Sequence, residues 1–256
     1  MKDEYEMDNG TLAIITPDQY DEACNIMANY FFPDNPLFKS FGVTWNELLN
    51  EVTLAILKMN LSVCMMTRDT KEIMGVQITG VKTKSDPPEN FCPEEEPLKA
   101  LLTLTTLQEK EVNVFERYEV DEVVDFLALA VKEKYRRMGV AGRLFAASVS
   151  MCRELGFKAI KGRGTSSYSH KLYDKQGFEP LSTLALDTYY HNGQPVSEGT
   201  GGHTTRKLYG LKIWYRVQFI TVIEINLGMG RTWEKFSSLP VKKPQKFETA
   251  TGKENF

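Results

Sequence analysis

The stretch Arg136-Arg137-Met138-Gly139-Val140-Ala141-Gly142 lies between an apolar run, Phe126 to Val131, and an amphipathic segment. Amides at a helix N-terminus point outward at the positive end of the helix dipole, so a basic, glycine-containing turn placed there can hold a pyrophosphate on main-chain hydrogen bonds. Glycines allow close backbone approach, and Arg136 and Arg137 add charge. The turn has neither the Gly-x-x-x-x-Gly-Lys-Ser/Thr nor the Gly-x-Gly-x-x-Gly spacing, which disfavours a nucleoside-triphosphate loop and a dinucleotide fold. The same pattern also serves as a plain strand-to-helix connection, so the turn by itself leaves both readings open.

The elements that must position this turn follow from periodicity and punctuation. Leu12–Ile15 reads as a strand. Thr16-Pro17-Asp18-Gln19 is a capping box with proline at the first helical position, opening a helix to about Tyr30. Pro33 and Pro36 break the chain over Phe31–Leu37. Thr44-Trp45-Asn46-Glu47 reads as a second capping box, starting a helix to about Met59. Ser62–Thr67 and Ile73–Val81 form an antiparallel pair about a turn at residues 68–71. Lys82–Pro97, with its prolines and Glu94-Glu95-Glu96, is a surface loop, and Leu98–Tyr118 is helical. Phe126–Val131 has the continuous apolar pattern of a strand buried on both faces. Leu144, Ser148, Cys152 and Leu155 mark the inner face of the next helix, which stops at Gly156. A strand at Lys158–Lys161, a helix at Ser167–Gln176 closed by Gly177, and strands at Thr183–Tyr190 and Arg206–Trp214 complete an α/β or α+β fold with one main mixed sheet.

The 256 residues carry 42% apolar and 25% charged side chains and a formal charge of −3. That balance suits one or two globular domains and gives no indication of nucleic-acid or anionic-membrane binding. No apolar run reaches about 18 residues, so no membrane span is expected, and the acidic, polar start MKDEYEMDNG does not read as a secretory signal. Cys24, Cys64, Cys92 and Cys152 are scattered without Cys-x-x-Cys spacing. This argues against a zinc site and a disulfide framework and for a reducing, cytoplasmic setting. Residues 1–214 read as one domain. Residues 215–256 read as an extension, with a possible strand at Val217–Leu227 and a polar, lysine-bearing, disordered tail from Arg231.

Arg136-x-x-Gly139-x-Ala141 fits the Arg/Gln-x-x-Gly-x-Gly/Ala signature of the GNAT N-acetyltransferases. At the expected distance, Leu172-Tyr173-Asp174-Lys175-Gln176-Gly177-Phe178-Glu179 resembles a second landmark of that superfamily. Glu116–Asp121, Ser166–Ser169 and His203 look like their counterparts in the insect arylalkylamine N-acetyltransferases, and the likeness runs from Leu12 to Trp214. It implies a single domain with a mixed central sheet flanked by helices and a splayed central strand. The implied activity is metal-free acetyl transfer from acetyl-CoA, as cosubstrate, to a small primary amine, in a monomer or weak dimer.

Carried over residue by residue, the resemblance puts the pantetheine arm of acetyl-CoA along the backbone of Leu129, Ala130 and Val131. The pyrophosphate goes to Arg136, Arg137, Met138, Gly139, Val140, Ala141 and Gly142. An alkylamine with a pKa of about 10 must lose a proton before it attacks. In the insect enzymes the base is a glutamate in an Asp-Glu-Pro-Leu segment; here that segment is Asp34-Asn35-Pro36-Leu37. Asn35 cannot accept the proton and is assigned to substrate contact, while Asp34 is the candidate base, or else a turn residue before Asn-Pro. Tyr173 stands where many superfamily members place a general-acid tyrosine for the leaving thiolate, or is a packed aromatic, and Ser169 matches a serine of the catalytic region in the insect enzymes, or is a first-turn helix residue. His203 lines the amine pocket or a loop, and His170 reads as exposed. Phe31, Phe32, Phe38, Phe41 and Trp45 are available for an aromatic amine pocket or for the core. Arylalkylamines are the first substrate class. A polyamine or agmatine-type acetyltransferase and a weakly catalytic acetyl-CoA-binding paralogue are the alternatives.

Overall fold

The computed structural model describes residues 10–86, 93 and 95–213. The first half runs β1 (Gly10–Ile14), α1 (Tyr20–Ile26) with a π-helical continuation at Met27–Phe31, α2 (Pro36–Phe41), α3 (Glu47–Leu57), β2 (Val63–Thr67), β3 (Ile73–Thr83), α4 (Glu96–Glu111) and α5 (Val114–Tyr118). The second half runs β4 (Glu122–Val131), α6 (Val140–Glu154), β5 (Ala159–Gly164), α7 (Ser167–Lys175), β6 (Glu179–Ala185), β7 (Tyr190–His191), β8 (Gln194–Pro195) and β9 (Thr205–Lys212).

Seven strands form one mixed sheet in the order β1-β2-β3-β4-β5-β9-β6, and β7 and β8 make a separate small hairpin. Every neighbour in the main sheet is antiparallel except β4 and β5. Those two pair only over Val124–Phe126 against Ile160–Gly162. Above that rung β4 continues to Val131 while keeping its ladder to β3, so the two central strands part. A bulge at Ile78/Thr79 leaves Leu127 without a register partner and 38% exposed. The apolar run is therefore not buried on both faces throughout: the bulge turns Leu127 toward solvent at the mouth of the splay.

Helices cover both faces. Leu144, Ser148 and Cys152 of α6 are fully buried, as their spacing predicts, but Leu155 is 41% exposed. It is the C-cap, one step past the last turn of the helix. Ile15, Ile26, Leu57, Ile78, Leu104 and Ala128 belong to one cluster, joining α1, α3 and α4 to the strands. Cys24, Cys64 and Cys152 are buried free thiols, pushed by burial up to about 11, 11 and 12, so they stay protonated and inert near neutrality. Cys92 and the proposed strand and tail beyond residue 214 lie outside the described residues. Among the described residues no helix is long and apolar enough to cross a membrane.

Four local expectations are corrected, each for a backbone reason. The first helix does not stay α-helical to Tyr30. Phe32 donates to the Met27 carbonyl, five residues back, at 3.1 Å, a π-type widening of the kind that collects at functional sites. The proline-broken segment does contain a helix, because Pro36 fills the first position of α2, where no amide hydrogen bond is needed. Asn46, not Thr44, caps α3, accepting from the Leu49 amide at 3.0 Å. The long helix expected over Leu98–Tyr118 is two helices: Val112 is extended and the Asn113 side chain caps α5.

Candidate active site

The turn between β4 and α6 builds a cavity of about 260 Å³ lined by Val131, Tyr135, Arg136, Arg137, Gly139, Val140 and Ala141. Gly139 caps α6 at φ +77°, a left-handed conformation that glycine takes at little cost. Arg137, at φ +63°, holds the same region without that freedom, a local strain common at binding sites. The first amide satisfied within α6 is that of Arg143, which donates to the Gly139 carbonyl at 3.1 Å. The amides of Val140, Ala141 and Gly142 precede it and open toward the cavity end of a 15-residue helix. Met138, partly buried, packs against the cluster that includes Val140 and Leu144, and so anchors the turn. Amides, helix dipole and guanidinium groups converge, as a pyrophosphate requires.

Leu129, Ala130 and Val131 lie on β4 above the last rung to β5, where main-chain groups that a neighbouring strand would occupy are available to an extended ligand. One is already used: Arg136 Nε donates to the Val131 carbonyl at 3.2 Å.

At the foot of the splay stands Tyr173. Its ring is 4% exposed and stacks on Tyr209 with centroids 4.5 Å apart. Gly162, the last residue of β5 paired to β4, lies under the phenol, and a Cβ there would come within 2.1 Å of the Tyr173 oxygen. Burial, with the nearby Asp125 carboxylate, pushes the phenol far above its ordinary value, so it remains a proton donor throughout the neutral range. Ser169, one turn earlier on α7, donates its hydroxyl to the Ser166 carbonyl at 2.8 Å and closes a reciprocal cap with Ser166. It faces Gly164 at the end of β5. His170 is half-buried, contrary to its expected exposure. Its Nε2 meets the Gly164 carbonyl at 3.1 Å, and burial lowers its pKa. His203 precedes β9, its carbonyl accepting from Thr200 at 2.5 Å, and is close enough to act on the His170 charge.

Asp34 follows the π-helical segment and pairs with Arg136 of the cradle at 2.5 Å. Asn35 is committed elsewhere: its Oδ1 accepts from Leu37 at 3.0 Å and Phe38 at 3.4 Å, capping α2. Replacing Asn35 by alanine should therefore cost about 1 kcal/mol of stability, read by urea denaturation. An unchanged midpoint would leave the cap without energetic weight. Phe31, Phe32, Phe38 and Trp45 form a chain of ring contacts, with centroids 4.6 to 5.5 Å apart from Phe31 through Phe38 and Phe32 to Trp45. Phe32 and Phe41 are core, whereas Phe31, Phe38 and Trp45 are only partly buried. Ser40 of α2 donates to the carbonyl of Val196, in the segment before β9, at 2.5 Å, which ties α2 to the residues leading to His203.

Sequence reading missed a buried charge cluster below the splay. Asp125, 2% exposed, pairs with Lys161 at 3.2 Å and Arg163 at 3.4 Å, and Glu109 of α4 pairs with both cations from above. These residues are scattered over three elements, and a single charge in an apolar strand, as in Val124-Asp125-Phe126, was the only available signal.

A turn at a helix N-terminus, reached along a strand that has parted from its parallel neighbour, can take an extended ligand that ends in a pyrophosphate. The sequence profile of the Acetyltransferase (GNAT) family matches residues 108–178, which span β4, the cradle and α7. The structure resembles arylalkylamine N-acetyltransferase 2 from Aedes aegypti, at 24% identity and TM-score 0.75, covering 80% of this chain and 99% of that one. It also resembles mosquito arylalkylamine N-acetyltransferase like 5b, at 26% identity and TM-score 0.71, covering 80% and 100%. A Drosophila melanogaster polyamine N-acetyltransferase that forms N-acetylagmatine shares the fold at 18% identity and TM-score 0.69, covering 80% and 100%. Residues 108–178 are thus similar to the GNAT acetyltransferases and the fold to the insect arylalkylamine N-acetyltransferases, and together these likenesses support an acyltransferase.

Proposed function

We propose that this chain transfers the acetyl group of acetyl-CoA to a small primary amine, with arylalkylamines such as dopamine, serotonin and tyramine as the leading substrate class. The observation that carries the reading is the parting of β4 from β5 above Phe126–Gly162, with the cradle at the end of β4 and Asp34, next to the partly exposed rings in sequence, bonded to its Arg136. A thioester and an amine can then approach the same point from opposite faces, and their alignment supplies much of the rate. We assign the activity to residues 1–214.

In this reading Arg136, Arg137 and the amides from Gly139 to Gly142 hold the pyrophosphate, with Met138 anchoring the turn from below. The backbone of Leu129, Ala130 and Val131 holds the pantetheine arm, and an amide there polarises the thioester carbonyl. Asp34 is the base that takes the ammonium proton, directly or through water. Its pairing with Arg136 gives that role a condition: a bound pyrophosphate competes for the guanidinium and frees the carboxylate. Tyr173 donates toward the leaving thiolate, whose conjugate acid has a pKa of about 8.5, with Ser169 beside it. Asn35 shapes the amine side as the cap of α2, and His203 borders that side from the loop before β9.

Similarity to an N-acetylagmatine-forming enzyme keeps a polyamine or agmatine acceptor as the second reading. Release of CoA thiol from acetyl-CoA, followed with tyramine, dopamine, serotonin, agmatine and spermidine, separates the two. Turnover confined to the aromatic amines supports the first. Acetyl-CoA binding without turnover of any amine would sink both and leave a cofactor-binding paralogue.

A further inference from the structure

Four of the six residues from Lys132 to Arg137 are basic. They lie on the turn that leads from β4 into the cradle, where unscreened like charges would repel one another and splay the loop. The structure answers with carboxylates from outside the turn. Glu72 accepts from Lys132 Nζ at 3.2 Å, Lys134 Nζ at 2.8 Å and the Tyr135 hydroxyl at 2.8 Å. Glu22 of α1 accepts a second bond from Lys132 at 2.8 Å, and Asp34 holds Arg136. Arg137 is then the cation of this run with no carboxylate bonded to it among the described residues. The three donors hold the Glu72 carboxyl down to about 2, so it is ionised at any working pH.

Glu72 is itself well anchored. Its amide donates to Thr67 Oγ1 at 3.0 Å and its carbonyl accepts from the Thr67 amide at 2.9 Å, which closes the β2–β3 turn on itself. Lys132 is tied to the same end of β3 through its amide, which donates to the Met74 carbonyl at 2.9 Å. Tyr135, meanwhile, is one wall of the cradle cavity. A hydrogen-bonded turn at one end of the sheet thus fixes both the wall and the charge distribution of the anion site.

We propose that Glu72 is a positioning residue for acetyl-CoA: by accepting from Lys132, Lys134 and Tyr135 it sets the shape of the pyrophosphate cradle before the cosubstrate arrives. This rests on the acetyltransferase reading above. A preorganised site binds more tightly because less ordering remains to be done on binding. The effect therefore belongs to acetyl-CoA affinity and not to the chemical step.

Calorimetric titration of the full chain with acetyl-CoA, alongside steady-state kinetics with the best amine, tests it. In Glu72→Gln we expect acetyl-CoA to bind roughly tenfold more weakly and its KM to rise in parallel, with kcat at saturation within about twofold. Tyr135→Phe should give a smaller loss of the same kind. The double variant should fall short of the sum, because the two residues act through one hydrogen bond. Unchanged or tighter binding in Glu72→Gln, additive losses in the double variant, or an equal fall in kcat at saturation would each overturn the assignment. If the unsubstituted chain bound no acetyl-CoA, the acetyltransferase reading would fail instead, so the two failures are told apart by the first titration.

Discussion

An Asp34→Ala variant should bind acetyl-CoA at least as well as the parent chain and turn over amines on the order of 10²- to 10⁴-fold more slowly. The two halves of this expectation come from one ion pair. Asp34 and Arg136 are bonded at 2.5 Å with both side chains substantially exposed, so removing the carboxylate leaves the guanidinium free for the pyrophosphate. It also removes the one acid side chain of the Asp34–Leu37 segment, since Asn35 is an amide engaged in capping α2. Stopped-turnover assays at saturating acetyl-CoA and amine, paired with calorimetric binding, measure both halves. A kcat within a few-fold of the parent would remove Asp34 from the mechanism. A large loss of acetyl-CoA binding would show that the pair builds the cradle instead of competing with it.

The second large effect concerns stability. Asp125 is buried between Lys161 and Arg163, and its carboxyl is held at about 2: burial alone would raise it, but the two cations outweigh that. In Asp125→Asn the cations remain buried beside a neutral amide. Breaking a buried pair from one side costs about 3–5 kcal/mol, so the variant should lose a comparable amount in urea unfolding at pH 7. The acid response follows from the same carboxyl. Its folded pKa lies below the unfolded value of about 3.9, so its contribution is fully present above that value and is lost as pH falls toward 2. Glu109, also shifted down by Arg163 and Lys161, acts in the same sense. The parent chain should therefore weaken steeply between about pH 4 and pH 2, whereas Asp125→Asn, already lacking this group, should show a shallower decline. A loss below about 1 kcal/mol at pH 7 would mean that water or a neighbouring carboxylate compensates the cluster.

Local order was legible in the sequence wherever a short-range signal decides the backbone. The cradle turn, the buried face of α6 at Leu144, Ser148 and Cys152, the glycine stops at Gly156 and Gly177, and the pairing of β2 with β3 all follow from neighbours a few residues apart. The resemblance to the GNAT enzymes also rested on contiguous motifs, and these lie in the segment that the family profile matches.

What only the tertiary structure decided are relations between distant segments. Asn35 and Asp34 are adjacent in sequence, yet one closes a helix while the other reaches a guanidinium 102 residues away. Nothing in four residues of sequence distinguishes those fates. The Asp125, Lys161, Arg163 and Glu109 cluster, and the grip of Glu72 on the cradle, join elements brought together by sheet order, which strand patterns alone do not specify. Helix boundaries shifted for a related reason. Thr44 and Asn46 are both competent caps, and the choice fell to Asn46, whose side chain also reaches Glu95 at 2.9 Å. Hydrogen-bond competition of that kind is settled by packing across the fold, whereas periodicity and capping chemistry act within a few residues. The sequence alone therefore determined the strand–turn–helix around Arg136–Gly142 and the family resemblance, because both rest on neighbouring residues, while the tertiary structure decided which carboxylates and cations meet there.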